Sequence, residues 1–506
     1  MRLRLAAAIS MIIAMAWAQA GESVGRPSDN IALGASYTLE PGPNYGFCTD
    51  AGDYTQLTDG EYTDGYFWLQ KSTVGWQAKA PTIVTLDLGQ VQPIRGVSFS
   101  TAGGFADVEW PLTIRILVGD EDGKFHEVGD LVRLNEDQHG PMVPRKADPD
   151  IWRAEGFSNA EVHHHYLFNL DRFGPEFTAE VREAVLRDAT EQRAAKYGTY
   201  IYWTDRLRTH GRYVSLMVWN DPFTFVDEIE VYRGEPEWLD EPLTGQGVPN
   251  PEAYAKQLAI QKGSRTRLVQ DIEVLRGAAQ ERGVPVQTRK DVLDELAHVE
   301  ANLGSATESG DDFQTILPLN PWHERVMRTQ ARLWRAAGLG PLTFWHSNQW
   351  DPLPLVGPPD KAAELTAGGE HAVEVHLMRN EHRVAHFNVS NSTDESKEVS
   401  FRLGGLPGGN NPAYVTVHEV LWTDTRHGLP VAAALPEVAL DSDLYTVTVP
   451  SGMTRQVWMT FHPVDVVAGV YEGEVVVASP GGVRFPLRLH LYPLDFPEQH
   501  LSLIHI

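Results

Sequence analysis

The stretch Val84-Thr-Leu-Asp-Leu-Gly89 alternates apolar with polar side chains and ends at a turn residue. Because successive side chains of a β-strand point to opposite faces, Val84, Leu86 and Leu88 share one face. Residues 114–118 repeat this alternation and are followed by Gly and Asp turn residues. Short alternating segments bounded by such turns predict an antiparallel β-domain.

The same pattern marks the extent of this domain and an interruption within it. The alternation resumes at 213–219 and 225–232. The polar segment at about 135–198 contains a helical piece from residue 175 onward, so we interpret it as an insertion. The first β-domain is therefore predicted to cover 28–240.

Residues 250–340 have helical spacing instead. Their apolar side chains recur three and four residues apart, which places them on one face of a helix. We predict a helical hairpin and one further helix, with Thr288 and Asn320 as N-caps. We interpret the segment as a spacer between two β-domains, because its heptads are too few to favour a coiled-coil dimer. The clearest stripe consists of Val292, Leu296, Val299 and Leu303.

Strand-type alternation returns at 341–497, where short segments are broken by Gly-Gly and Pro. Val373, Val375 and Leu377 form one such segment. This pattern predicts an accessory β-sandwich. The fold class predicted for the chain is mainly β and multidomain.

Composition limits the classes of partner. With 506 residues, the chain has room for about two to four domains. A net charge of −26 disfavours nucleic acid and anionic membrane surfaces. Its single cysteine, Cys48, can form neither an internal disulfide nor a cysteine zinc cluster. No stretch beyond the N-terminal run reaches about 18 apolar residues, so we expect no membrane span.

The two ends of the chain carry separate signals. Two arginines precede an apolar run from Leu5 to Trp17, and small-x-small cleavage sites follow it. Residues 1–20 are therefore predicted to be a signal peptide of a secreted or periplasmic protein, the alternative being a buried N-terminal helix. The last six residues, 501–506, match the reading CTG TCT CTT ATA CAC ATC of a transposon-end adaptor. We interpret them as a sequencing artefact, the alternative being a natural short tail.

Two clusters in the sequence could hold a metal ion. The run Asp59-Gly-Glu61, followed by Asp64, offers carboxylates beside glycine turns, which suit calcium. Asp-Gly is also a common turn pair, so an ordinary turn is the alternative. The run of three histidines at 163–165 could supply at most two ligands to one ion, since three consecutive side chains do not converge.

Several motifs of the first β-domain together resemble the discoidin-like domain, also called coagulation factor V/VIII type C. The resemblance covers about 28–135 and 198–235. It implies a jelly roll, and bacterial members of the family commonly bind sugars. The motifs are Asn30-Ile-Ala-Leu-Gly-Ala, Leu57-Thr-Asp-Gly60, Val84-Thr-Leu-Asp-Leu-Gly89, Ile114-Arg-Ile-Leu-Val118 and Asp227-Glu-Ile-Glu-Val-Tyr232, together with Trp76.

The discoidin-like resemblance also implies two sites. Family members often hold a structural calcium ion with an Asp-Gly loop and a glutamate of the last strand, and their sugar sites use aromatic side chains on loops. Each tryptophan has a place in the core as its alternative. The matching calcium positions are Asp59, Glu61, Asp64 and Glu228. The matching aromatic positions are Trp68, Trp76 and Trp110.

The second β-block resembles the sandwich that precedes the catalytic barrel in glycoside hydrolase family 123-like proteins. The residues that carry this resemblance include Met378-Arg-Asn-Glu381, Gly452-Met-Thr-Arg-Gln-Val-Trp458 and Leu491-Tyr-Pro-Leu-Asp495. The resemblance implies a hydrolase-like parent whose barrel is missing from this chain, and the sequence offers no catalytic residue.

The preferred interpretation is an exported, carbohydrate-binding fragment of a glycoside hydrolase-like protein. Its partner would be a glycan or polysaccharide, and its cofactor a structural calcium ion. The first alternative is a non-enzymatic cell-surface adhesin or scaffold built from the same modules. A second alternative is that the chain itself hydrolyses glycans through its insertion and helices.

Overall fold

The computed structural model describes residues 25–63, 67–104, 106–142, 145–146, 197–308, 313–348, 351–367, 369–425, 428–479 and 482–497. The predicted signal peptide at 1–20, the segment at 501–506 and most of the predicted insertion lie outside these residues. The chain is mainly β and divides into two compact units, Met1–Lys256 and Gln257–Ile506. No described helix is long and apolar enough to cross a membrane.

The first unit is an antiparallel β-domain. Its strands are β1 (Ser36–Glu40), β2 (Val74–Gln77), β3 (Thr82–Gly103), β4 (Thr113–Gly119), β5 (Phe125–Asp130), β6 (Arg145–Lys146), β7 (Gly198–Thr204), β8 (Thr209–Trp219), β9 (Phe223–Val226), β10 (Val231–Arg233) and β11 (Gln246–Val248). The largest sheet has the order β11-β5-β4-β8-β3-β7-β6, with β1 and β10 also paired to β3, and β2 pairs with β9 in a separate ribbon. The α-helix α1 (Leu131–His139) follows β5.

Strand β3 organises the first unit because its two halves have different partners. Residues up to Asp87 pair with β1 and β8, and the half that begins near Ile94 pairs mainly with β7 and β10. The register with β8 shifts between these halves, where Gly89 adopts a positive φ of 79°. Val84 and Leu86 are buried as predicted, together with the alternating residues of β4. Strand β3 therefore supplies buried core residues and changes register at its middle.

The second unit contains a β-sandwich. Its strands are β12 (Leu342–Trp345), β13 (Val373–Arg379), β14 (Arg383–Asn391), β15 (Lys397–Gly404), β16 (Val415–Asp424), β17 (Pro430–Ala434), β18 (Leu440–Asp441), β19 (Leu444–Val449), β20 (Thr454–Phe461), β21 (Gly469–Ser479) and β22 (Val483–Asp495). One sheet has the order β12-β14-β20-β16-β17 and the other β13-β22-β21-β15-β19-β18, in which β13 and β22 run parallel. Alternating side chains of both sheets enclose one apolar core that includes Phe387, Phe401 and Phe485.

The helices predicted within 250–340 are present, with one wrong boundary, and the helical piece predicted from residue 175 onward lies outside the described residues. They are α2 (Pro251–Ala279), α3 (Val286–Ala301), α4 (Leu303–Glu308) and α5 (Pro321–Ala336). Asn320 caps α5 as predicted, because its side chain accepts a hydrogen bond from the His323 N–H at 2.9 Å. The N-cap of α3 is Pro285 and not Thr288, since the chain is already helical from Val286 onward.

The helices share a core with the sandwich. The stripe that contains Val292, Leu296 and Val299 packs in the same cluster as Trp422 of β16 and Met453. A buried polar network lies in this layer: Asp271 accepts from the Arg267 Nε–H at 2.8 Å and faces the His323 Nε2 at 2.9 Å. The other ring nitrogen of His323 accepts from the Leu319 N–H at 3.1 Å. Within the second unit, the helices therefore form a layer on the sandwich.

Candidate functional site

The predicted acidic loop begins where a short 3-10 turn, Gln56–Thr58, ends. Gly60 adopts a positive φ of 85°, a conformation that suits glycine, and this lets the chain turn sharply after Asp59. One carboxylate oxygen of Asp59 accepts from the Glu61 N–H at 2.8 Å, which fixes the turn. The loop thus presents backbone groups toward the segment that follows β9, where Glu228 lies.

Glu228 is a buried carboxyl group with half of its hydrogen-bonding capacity unused. Its side chain is 0% exposed, and Oε2 accepts from the Gly60 N–H at 3.3 Å. Oε1 has no hydrogen-bond partner among the described residues. Burial, with a further contribution from the negative charge of Asp59, raises the pKa of Glu228 to about 9. Without a bound cation, this carboxyl group is protonated at neutral pH.

The neighbours of Glu228 add negative charge. Asp227 is 1% exposed and accepts from the Thr63 N–H at 2.6 Å, and burial raises its pKa to about 6. Arg26 pairs with Glu230 at 3.2 Å. A calcium ion bound here would contact the free oxygen of Glu228 and compensate the buried negative charge.

The structure brings together part of the predicted calcium set. Asp59 and Glu228 lie close enough for the charge of one to raise the pKa of the other. Glu61 is exposed on the turn, and Asp64 lies outside the described residues. Within the described ranges, the acidic side chains around Glu228 do not place three ligand atoms within 4.8 Å of one another. Of the predicted calcium positions, Glu228 and Asp59 are the two that could hold an ion here.

Trp76 lies in the core, which is the alternative to a sugar-binding loop that the sequence left open. It is 1% exposed on β2, and its indole N–H donates to the Pro41 carbonyl at 2.7 Å. A sugar stacks on an open ring face, which Trp76 does not offer in this conformation. Val74 and Trp76 are two residues apart on β2 and are both buried, so this spacing is the feature of the sequence that indicates a buried Trp76.

Trp68 also lies in the core. It is 4% exposed and packs in an aromatic cluster with Tyr197, at a centroid distance of 5.3 Å, and Phe225, at 5.4 Å. The expectation that Trp68 stands on an open loop fails because the 3-10 turn Phe67–Leu69 directs the ring inward. Of the three predicted stacking rings, Trp110 is the one with exposed surface.

Trp110 lies in the connection between β3 and β4, whose described residues, 104 and 106–112, we call the 104–112 loop. The ring packs over Gly103, where an added methyl group would lie 3.1 Å from it. The rest of the indole is partly exposed, and Asp107 and Glu109 of the same loop are exposed. Leu112 is 72% exposed at the end of the loop. A partly exposed indole can bind the apolar face of a sugar, and exposed carboxylates on the same loop can accept hydrogen bonds from its hydroxyl groups.

The 104–112 loop is fixed by backbone contacts. The Gly104 N–H donates to the Val108 carbonyl at 2.9 Å, and the Leu112 N–H donates to the Trp219 carbonyl at 2.9 Å. The buried side chain of Asn220 donates to the Glu109 carbonyl at 2.8 Å. Sequence reasoning did not identify Asn220, because its role depends on a contact between two distant turns.

Comparisons with known proteins give only a distant likeness. No protein-family model matches the chain, and no curated protein matches it. Among solved structures, CpGH89CBM32-5 from Clostridium perfringens, in complex with GalNAc-β-1,3-galactose, is 11% identical over 39% of this chain and 95% of that one, with a TM-score of 0.21.

Two further solved structures are similar at the same level. The lectin domain of lectinolysin, complexed with Lewis B antigen, is 14% identical over 41% of this chain and 99% of its own, with a TM-score of 0.22. A fucose-binding module of Streptococcus pneumoniae, SpX-3, is 13% identical over 41% and 99%, with a TM-score of 0.21. These neighbours are carbohydrate-binding modules and lectin domains. The candidate site at the 104–112 loop is inferred only from the residues and contacts of this chain.

Proposed function

We propose that the first unit binds glycans at the 104–112 loop, with Trp110 as the stacking ring. The observation that carries this proposal is the partly exposed indole, which is held over Gly103 on a loop that Asn220 anchors. A rigid aromatic ring binds a pyranose with little loss of side-chain entropy, because its position is fixed before the ligand arrives. Asp107 and Glu109 would accept hydrogen bonds from the sugar hydroxyl groups.

Calcium has a structural role in this proposal. The ion would bind Glu228 and Asp59 and hold the 59–61 turn against the segment after β9, without contact to the sugar. The chemistry it supplies is charge compensation, which allows Glu228 to remain ionised while buried. The function proposed for the first unit is glycan binding.

The proposal for the parent protein follows from the resemblance of residues 341–497. We infer that the chain is part of an exported protein of the glycoside hydrolase family 123-like kind. The competing proposal is a surface adhesin. The genomic sequence past codon 500 discriminates between them. About 300 further codons with alternating strand and helix patterns support the hydrolase-like parent, and further β-sandwiches support the adhesin.

A glycan array probed with the full chain tests the binding proposal. We expect retention on at least one glycan class, and weaker retention when a chelator removes calcium. The Glu228→Gln variant should retain binding that no longer responds to the chelator. Absence of retention on every glycan, with the chain shown to be folded by circular dichroism, contradicts the proposed function.

A further inference from the structure

A second cluster of metal-binding side chains lies on the β-sandwich, on the parallel pair of β13 and β22. In this register His376 lies opposite His490 and Glu374 lies opposite Arg488. The alternate residues of both strands, such as Val375 and Leu489, are buried in the sandwich core. Because side chains alternate along a strand, the histidines and Glu374 share the outer face of the sheet.

The three side chains are close enough to share one ion. The two imidazole rings are stacked, with centroids 4.0 Å apart and planes inclined by 13°. The Nε2 atom of His376 lies 3.6 Å from one carboxylate oxygen of Glu374. One ligand atom from each of Glu374, His376 and His490 lies within 4.8 Å of those of the other two.

Existing hydrogen bonds orient these groups and leave ligand atoms available. Arg488 donates to Oε1 of Glu374 at 3.0 Å, while Oε2 faces His376. The Nδ1 atom of His376 lies 3.1 Å from the hydroxyl group of Tyr492, the kind of outer contact that fixes a metal-binding imidazole. The Nε2 atom of His490 is buried and has no hydrogen-bond partner among the described residues. A metal ion would satisfy that nitrogen.

A second stacked histidine pair shows that stacking alone does not make a site. His382 and His462 have centroids 3.7 Å apart at the same inclination of 13°. Nε2 of His462 is already paired with the side-chain oxygen of Asn380 at 3.1 Å. In the described part of the chain, no carboxylate joins that pair as a third ligand. The difference between the two pairs is the carboxylate and the unpaired nitrogen.

A pocket adjoins the Glu374–His376–His490 cluster. It has a volume of about 370 Å³ and is lined by residues 468–470 and 490–493, so His490 belongs to both features. Val470 and Tyr492 remain substantially exposed there, at 62% and 47%. Three protein ligands beside an open space leave further coordination positions for water or a bound molecule.

We propose that Glu374, His376 and His490 form a binding site for a divalent transition metal ion of the zinc class. Two imidazole nitrogens and one carboxylate oxygen are donors that Zn²⁺ prefers, and they differ from the all-oxygen set expected at Glu228. The remaining coordination positions of the metal ion would face the pocket. It is independent of the glycan-binding proposal, because its residues all belong to the second unit.

Isothermal titration of the full chain with Zn²⁺, in the presence of excess Ca²⁺, tests the site. Because the histidine run at 163–165 could bind zinc by itself, the chain used has those three residues replaced by Gln. We expect one zinc ion per chain, with at least tenfold weaker binding in each of Glu374→Gln, His376→Ala and His490→Ala.

The matched control is His462→Ala, which disrupts the other stacked pair and should leave zinc affinity within twofold of the parent. Circular dichroism establishes that each variant is folded, and the exposed positions of Glu374 and His376 make their variants the decisive ones. Absence of zinc binding once residues 163–165 are replaced would overturn the proposal. An unchanged affinity in Glu374→Gln, or a loss in His462→Ala, would overturn it as well.

Discussion

The buried carboxyl group of Glu228 makes the stability of the first unit depend on pH. Burial raises its pKa from 4.5 to about 9, so the folded state holds a proton that the unfolded chain releases. The protonated group contributes its full stabilisation below the pKa of the unfolded chain, 4.5, and this stabilisation is lost as the pH rises toward the pKa of the folded state, about 9. The slope is about 1.4 kcal/mol per pH unit, so the free energy of unfolding should fall by about 4 kcal/mol between about pH 5 and about pH 8 in a chelator.

The Glu228→Gln variant isolates this contribution. Glutamine keeps the size of the side chain and an acceptor for the Gly60 N–H but does not titrate. Asp227 and Asp53 have pKa values raised to about 6 by burial, and their contributions to the slope are common to both proteins. The difference between the two slopes therefore reports Glu228. Calcium should restore most of the lost stability in the wild type and none in the variant.

The lone cysteine provides a probe of the first unit. Cys48 is 0% exposed, so a short pulse of a thiol reagent at each urea concentration labels the chains in which this unit has unfolded. The labelled fraction, measured by mass spectrometry, gives the free energy of unfolding at each pH. Equal slopes in the wild type and in Glu228→Gln would show that Glu228 does not titrate with a raised pKa, and a calcium response of equal size in both would show that calcium does not bind Glu228.

Three further predictions concern packing and reactivity. Asp271→Ala removes the buried partner of His323 and Arg267, and should destabilise the second unit by about 3–5 kcal/mol. Urea unfolding followed by circular dichroism measures this loss, and an unchanged urea midpoint would contradict it. Gly452→Ala places a methyl group 1.8 Å from a backbone carbonyl of α5 and should cost more than about 2 kcal/mol. Gly482→Ala, which has a positive φ but no atom within 4 Å, should cost about 1–2 kcal/mol, and equal costs would argue against the contact. Burial raises the pKa of Cys48 to about 12, so the native protein should resist thiol reagents, and rapid labelling without urea would contradict the packing of this loop.

The local parts of the fold could be predicted from the sequence. The alternation at Val84 and Leu86 and the helical stripe at Val292 and Leu296 each report burial on one face, and both sets are buried. Asn320 was predicted as an N-cap because a cap depends on neighbouring residues only. The prediction of Thr288 as an N-cap was wrong, because the helix already begins at Val286, directly after the N-cap Pro285.

The parts that depend on distant contacts could not be predicted. Nothing in the sequence of β3 shows that its two halves pair with different strands, because register is set by the partners. Nor does the sequence show that His376 and His490 meet, since only the parallel register of β13 and β22 places them together. Trp68 was assigned to a loop surface, and the aromatic residues that bury it lie far away in the chain.

Binding of a glycan on the indole of Trp110 can be measured as the dissociation constant of a glycan selected on the array, compared for the wild type, Trp110→Ala and Trp238→Ala. Trp238 is a matched control, because its ring is also half-buried in the first unit and packs over a glycine, Gly234. We expect Trp110→Ala to bind the glycan at least tenfold more weakly, a loss of about 1.4 kcal/mol, and Trp238→Ala to bind it as the wild type does. A folded Trp110→Ala variant that binds the glycan as tightly as the wild type would contradict glycan binding on Trp110.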